Sequence, residues 1–364
     1  MVEYRADIVG SLLRPDYWKA ALQQFEAGQI GEAEWIAAQD RAALENIAIY
    51  EAAGVDVLTD GEVRRLHWFD PLTDSLAGYT RDTEAPVPFT SERGVVREMM
   101  RLPAVTAPLG LKQNLPLREY EFAKAHTSRP VKVTLPSLTY ASVLYVPGSS
   151  DKVYPDRDVY LQEALRLMRE IIAQCVAAGA RYVQLDAPRY THLVSEVGME
   201  NFHRLGLNTD TWLSDMIALD NALIAGFPDV TFGLHLCRGN SRSMWSVEGG
   251  YDAIAEQLFN EITVQRLLLE YDSPRAGSFA PLRFVPPDKT VVLGLVTTKQ
   301  PEVESDELLR RRIEEASQFV PLDRLALSPQ CGFASTQEGN LVSFDVQRQK
   351  LELVARVARS VWPS

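Results

Sequence analysis

Hydrophobic positions along the chain alternate between two periods. Short, nearly continuous apolar runs such as Val133-Thr134-Leu135, Tyr182-Val183-Gln184-Leu185 and Val291-Val292-Leu293 have the β-branched and aliphatic make-up of buried strands. Between them lie longer stretches whose apolar residues recur at helical spacing. In chain order the pattern predicts strands at 8–9, 55–59, 131–135, 182–185, 230–236, 263–269, 290–296 and 325–327. It predicts helices at 32–53, 157–178, 211–225, 251–259, 305–318 and 346–362, the first two stopped by Gly54 and Gly179. Eight strands alternating with helices make an α/β fold, and the expectation is a (β/α)₈ TIM barrel. Residues 80–101 break the alternation and predict a hairpin or lid over the barrel mouth, inside an insertion of about 71–130. No Gly-, Ser- or Pro-rich stretch divides the chain, so residues 1–364 are expected to form one catalytic domain.

Composition narrows the function classes. A content of 46% hydrophobic and 24% charged residues is that of a globular protein. The net charge of −12 and the absence of a basic face argue against a nucleic-acid partner. The single basic run, Arg310-Arg311-Arg312, lies on a predicted helix among Asp306, Glu307, Glu314 and Glu315, and reads as an ion-paired solvated face. No apolar run approaches a bilayer-spanning length, and the first residues lack the plan of a signal peptide. Cys175, Cys237 and Cys331 are odd in number and widely spaced, so no disulfide framework is expected and a cytoplasmic setting is the simplest reading.

In a TIM barrel the chemistry gathers just past the C-terminal ends of the strands. Those positions hold Gly10-Ser11, Asp60-Gly61-Glu62, Pro136-Ser137, Asp186, His235-Leu236-Cys237, Glu270, Lys299 and Cys331. Residues i and i+2 of an extended chain face the same side, so His235 and Cys237 present imidazole and thiol to one point. These are ligand types that zinc prefers, and Glu270 and Cys331 follow strands that converge on the same axis. The competing reading is a buried structural histidine with two cysteines packed as small apolar residues. Cys175, in a helix among apolar residues, reads as core.

Glu62 and Asp186, at strand ends, have the plain reading of ion pairs with Arg64 or Arg65 and with Arg181 or Arg189. Lys299 is a candidate catalytic acid only if its pKa is lowered; otherwise it binds an anion or reaches solvent. His67, in a loop placed to roof the site, is a candidate acid or base. Arg14 and Arg238 are candidate substrate contacts in strand-end loops. His126, His192 and His203 have no spacing that compels a role.

Taken in order, the Gly-Ser after the first strand, Gly61-Glu62, Gln184-Leu185-Asp186-x-Pro188, His235-x-Cys237, Glu270 and Ser328-Pro329-Gln330-Cys331-Gly332 resemble the catalytic half of cobalamin-independent methionine synthase. They also resemble the single-barrel proteins of that superfamily, which include epoxyalkane:coenzyme M transferase. The resemblance implies a zinc held by His235, Cys237, Glu270 and Cys331, with a thiol substrate binding as thiolate and displacing a weaker ligand such as Glu270. It maps Ser11, Glu62 and Asp186 onto positions that hold the homocysteine backbone.

Three features depart from it. A chain of 364 residues has no room for the duplicated barrel that helps bind the folate cofactor. Thr297-Thr298-Lys299-Gln300-Pro301 replaces the family's histidine context, and Tyr140 and Tyr145 are the only aromatics where the family carries a pterin-stacking tryptophan. The expectation is a zinc-dependent thiol alkyltransferase with a homocysteine-like acceptor, whose donor is a small methylated compound or a corrinoid protein; a homo-oligomer is compatible. One alternative adds a coenzyme M- or glutathione-type thiol to an epoxide. Another, from a different class, is a metal-independent enzyme like uroporphyrinogen decarboxylase.

Overall fold

The apolar runs become strands because each is buried on both faces, which a parallel sheet wrapped by helices requires. The computed structural model describes residues 4–363, with the backbone alone for residues 83–86. Its strands begin with an antiparallel hairpin, β1 (Leu76–Ser91) and β2 (Gly94–Leu111). Six parallel strands follow in sequential order: β3 (Val133–Pro136), β4 (Tyr182–Asp186), β5 (Thr231–Leu236), β6 (Arg266–Glu270), β7 (Thr290–Val296) and β8 (Leu325–Pro329).

The first two barrel positions are filled by segments too short to be regular strands, a correction to the runs expected at 8–9 and 55–59. Ala6 bridges Leu327 and Leu58 bridges Val131, both in parallel. Backbone bonds from Asp7 N to Leu327 O (2.9 Å), Asp56 N to Ala6 O (2.9 Å) and Lys132 N to Leu58 O (2.8 Å) complete the ring from β8 round to β3. Side chains interrupt the ladder here: the Ile8 N–H donates to Asp7 Oδ1, and the N–H groups of Gly61 and Glu62 donate to Thr59 Oγ1 and Asp60 Oδ1.

Inside the barrel, Leu268, Val292 and Ala326 form a separate apolar layer across β6, β7 and β8. Near the strand starts a buried ionic knot takes its place. Lys132 Nζ donates to Asp7 Oδ1 (2.9 Å) and Gln184 Oε1 (2.7 Å), while Arg266 and the Tyr182 hydroxyl bind Asp7 Oδ2. The main core lies outside the ring, between the strands and helices such as Glu32–Ala53, Arg157–Ala177 and Phe344–Val361. Gly54 stops the first of these in a left-handed conformation (φ 82°), its N–H bonded to Tyr50 O.

The hairpin is longer than expected and reaches across the mouth to the loop after β5. Thr90 and Trp245 exchange backbone hydrogen bonds of 2.6 and 3.0 Å, and Ser241 Oγ donates to Glu98 Oε2 (2.9 Å). Among the described residues no helix is long and apolar enough to cross a membrane.

Candidate metal centre

The parallel pairing of β4 with β5 sets Asp186 opposite His235, and Ala187 N donates to His235 O, which keeps the chain extended as far as Cys237. Imidazole and thiol therefore project to one side. Cys331 arrives two residues past β8. The ligand atoms of His235, Cys237 and Cys331 all lie within 4.8 Å of one another, and all three residues are buried. Among the described residues this is the one group of three such side chains so gathered. Neither ring nitrogen of His235 has a hydrogen-bond partner, although buried polar atoms are normally satisfied. Two sulfurs and an orphaned imidazole form a donor set that fits zinc.

Burial and mutual contact shift the three groups in different directions. Contact with the Cys237 thiol, helped by His235 and Lys299, holds Cys331 well below the ordinary thiol range. The same contact, with burial, pushes Cys237 well above it. Burial opposes an imidazolium, yet Cys331, Asp186 and Glu270 raise the pKa of His235.

Glu270, the expected fourth ligand, ends β6 fully buried but stands outside the three-residue cluster. Its oxygens are taken by the Arg238 backbone N–H (2.8 Å) and Arg275 Nε (3.1 Å).

Next to the cluster opens a pocket of about 430 Å³, its mouth included, lined by Ser11, Glu62, Trp68, Asp186, Asn240 and Ser335 with the three metal-binding candidates. Glu62 sits in a left-handed conformation (φ 56°), its carboxylate accepting from Thr134 Oγ1 (2.6 Å). Asp186 accepts from Gln184 Nε2 (2.7 Å); burial lifts its pKa to about 7, with His235 opposing and Glu62 assisting. Ser11 Oγ accepts from Ala334 N (3.3 Å).

Four other expected residues are employed elsewhere. Arg14 does not line the pocket, because its guanidinium clamps the carbonyls of Leu12, Ala334, Glu62 and Arg65. Arg238 likewise binds Gly249 O and the Tyr251 hydroxyl. His67 stacks on Phe69 and its Nδ1 faces Arg81 (3.2 Å), so its neighbour Trp68 roofs the pocket instead. Lys299 is buried, donating to Gly239 O (2.9 Å), Asn240 Oδ1 (2.7 Å) and Met244 O (3.2 Å).

Trp68 belongs to the loop expected to roof the site, whereas nothing in the sequence marks Asn240 or Ser335 beyond the place of Asn240 in the strand-end loop after Cys237. Tyr140 packs edge-on against Trp68 at 4.7 Å and so supports the roof.

The sequence profile of the cobalamin-independent synthase catalytic domain matches residues 6–346. The chain belongs to that family. Among its relatives, the uncharacterized protein YxjH of Bacillus subtilis is 37% identical over 99% of this chain and 95% of its own length. Methionine synthase of Pyrococcus horikoshii is 24% identical over 89% of this chain and 85% of its own. A Listeria monocytogenes structure assigned as a vitamin-B12-independent methionine synthase superposes with a TM-score of 0.74 and 26% identity, covering 100% of this chain and 99% of that one. The family accounts for the barrel and for a methionine-synthase-like catalytic domain.

Proposed function

We propose that the protein is a zinc-dependent alkyltransferase acting on a thiol that carries an ammonium group, homocysteine being the type. The observation that carries this reading is the placing of His235, Cys237 and Cys331 within 4.8 Å of one another beside a pocket whose polar wall is Glu62 and Asp186. These three would hold the ion, with Glu270 beside them. Zinc there would supply a redox-inert Lewis acid that makes a bound thiol available as thiolate at neutral pH.

The chain's own residues do the rest. Glu62, which also faces Arg65 at 3.5 Å, offers opposite charge to the ammonium, and Asp186, with its pKa raised to about 7, offers an acceptor whose ionised form a neighbouring cation favours. Thr134 and Gln184 hold those carboxylates in place. Trp68 roofs the pocket and limits water, so that sulfur meets the alkyl carbon there; the S–C bond forms as the carbon's bond to its leaving atom breaks.

Among the described residues, the pocket lining contains no arginine or lysine. That disfavours a sulfonated thiol of the coenzyme M type, and equally the polycarboxylate of a decarboxylase-like enzyme, for which Arg14 and Arg238 would have to be free. A small methylated compound or a corrinoid protein as donor is compatible with the pocket. The test offers homocysteine, glutathione or coenzyme M together with methylcobalamin, methyl-folate or an epoxide, and reads thioethers by mass spectrometry. Thioether formed from homocysteine, and lost in Cys237→Ser and Cys331→Ser, supports the reading. Turnover indifferent to both substitutions, or confined to coenzyme M, contradicts it.

A further inference from the structure

The loop after β5 carries Cys237 into the centre and then turns sharply: Gly239, Arg242 and Ser243 all have positive φ (89°, 47° and 67°). Such a loop holds its shape only if something outside it fixes it. Three acceptors of this loop converge on one cation. An ammonium has three N–H donors, and those of Lys299 are matched by Gly239 O, Asn240 Oδ1 and Met244 O. Lys299 itself comes from the loop after β7. Asn240 then continues the chain of contacts, its Nδ2 donating to Gly332 O (2.9 Å) and Ser335 Oγ (3.1 Å) in the loop after β8. Gly332 directly follows Cys331.

We propose that Lys299 and Asn240 are positioning residues that tie together the loops bearing Cys237 and Cys331, presetting the distance between the two sulfurs for metal capture. The assignment rests on the zinc reading above. It differs from the role of proton donor for Lys299, whose three hydrogens are all met by acceptors of the loop after β5. Asn240 serves twice, because it also lines the pocket beside Cys331.

Supports of this kind, one shell out from a metal, are worth about 10- to 100-fold in metal affinity. Zinc affinity is measured by competition against a chromophoric chelator on the whole protein, for wild type, Lys299→Met, Lys299→Arg and Asn240→Leu. Cobalt(II) is then substituted to read the thiolate-to-cobalt charge-transfer bands.

The proposal expects about 10- to 100-fold weaker zinc in Lys299→Met and Asn240→Leu, with shifted cobalt bands and partial recovery in Lys299→Arg. Asn240→Leu leaves the buried ammonium in place, so it reports on the tie even if Lys299→Met folds poorly. Wild-type zinc affinity and an unchanged cobalt spectrum in Asn240→Leu would overturn the tie while leaving the zinc reading intact. Wild-type protein that binds neither metal would overturn both.

Discussion

Gly10→Ala tests the link between backbone and pocket most economically. Gly10 has φ 152°, and a Cβ built there would overlap Glu62 Oε1 and lie 3.2 Å from Thr134 Cγ2. Two penalties follow. An alanine held at this φ costs on the order of 1–3 kcal/mol of backbone strain. The displaced Glu62 also loses its 2.6 Å hydrogen bond from Thr134, about 1.5–3 kcal/mol for a bond to a charged group. The sum, about 2.5–6 kcal/mol, should appear as a lowered urea midpoint with the slope unchanged. In a Glu62→Ala background the overlap disappears and only the strain remains, so the double-mutant cycle should give a coupling of about 1.5–3 kcal/mol. Gly10→Ala should also weaken calorimetric binding of homocysteine to the zinc-loaded protein at least about tenfold, because Glu62 is the group pushed aside. Equal costs in both backgrounds, with wild-type thiol binding, would refute the claim that Gly10 exists to seat that carboxylate.

Two further substitutions probe the scaffold. Lys132→Met leaves Asp7 buried with only Arg266 as its ionic partner, and should lower unfolding free energy by about 3–5 kcal/mol in urea; a loss under about 1 kcal/mol would show that the knot is slack. Asp220, buried against the Ser137 and Tyr190 hydroxyls, has its pKa raised to about 6 by burial. A raised carboxyl stabilises the fold while protonated, and that contribution is lost as pH rises from the unfolded value, about 4, through about 6. Asp220→Asn should therefore gain on wild type by up to about 3 kcal/mol between pH 4 and pH 7, and a pH-independent difference would contradict the shift.

Where packing alone dictates structure, the sequence is readable. The helix 32–53 and the strand 290–296 coincide with Glu32–Ala53 and Thr290–Val296, because a glycine stop and a run of Val and Leu interrupted only by Gly294 leave little choice. The first two barrel positions were legible as places in the order but not as strands, since Asp7, Thr59 and Asp60 turn side chains onto their own backbone. Helix Asp16–Glu26 buries only Trp18 and Leu22, too few apolar positions to show helical spacing, and helix Leu115–Ala125 lies inside the segment expected as an insertion.

In the site, His235, Cys237 and Cys331 were legible from residue type and strand-end position. The fates of charged groups were not. Whether a cationic side chain reaches a pocket depends on which acceptors lie within reach, and Arg14, Arg238 and Lys299 all meet enough of them to be consumed. Glu270 shows the same effect, drawn to Arg275 and a backbone N–H.

The account stands or falls on the metal. Elemental analysis of the purified protein should find about one zinc per chain, lost in Cys237→Ser and in Cys331→Ser, and zinc-edge absorption should gain a sulfur scatterer when homocysteine is added. Folded protein that stays metal-free after exposure to zinc, or that keeps its zinc in both variants, would contradict it.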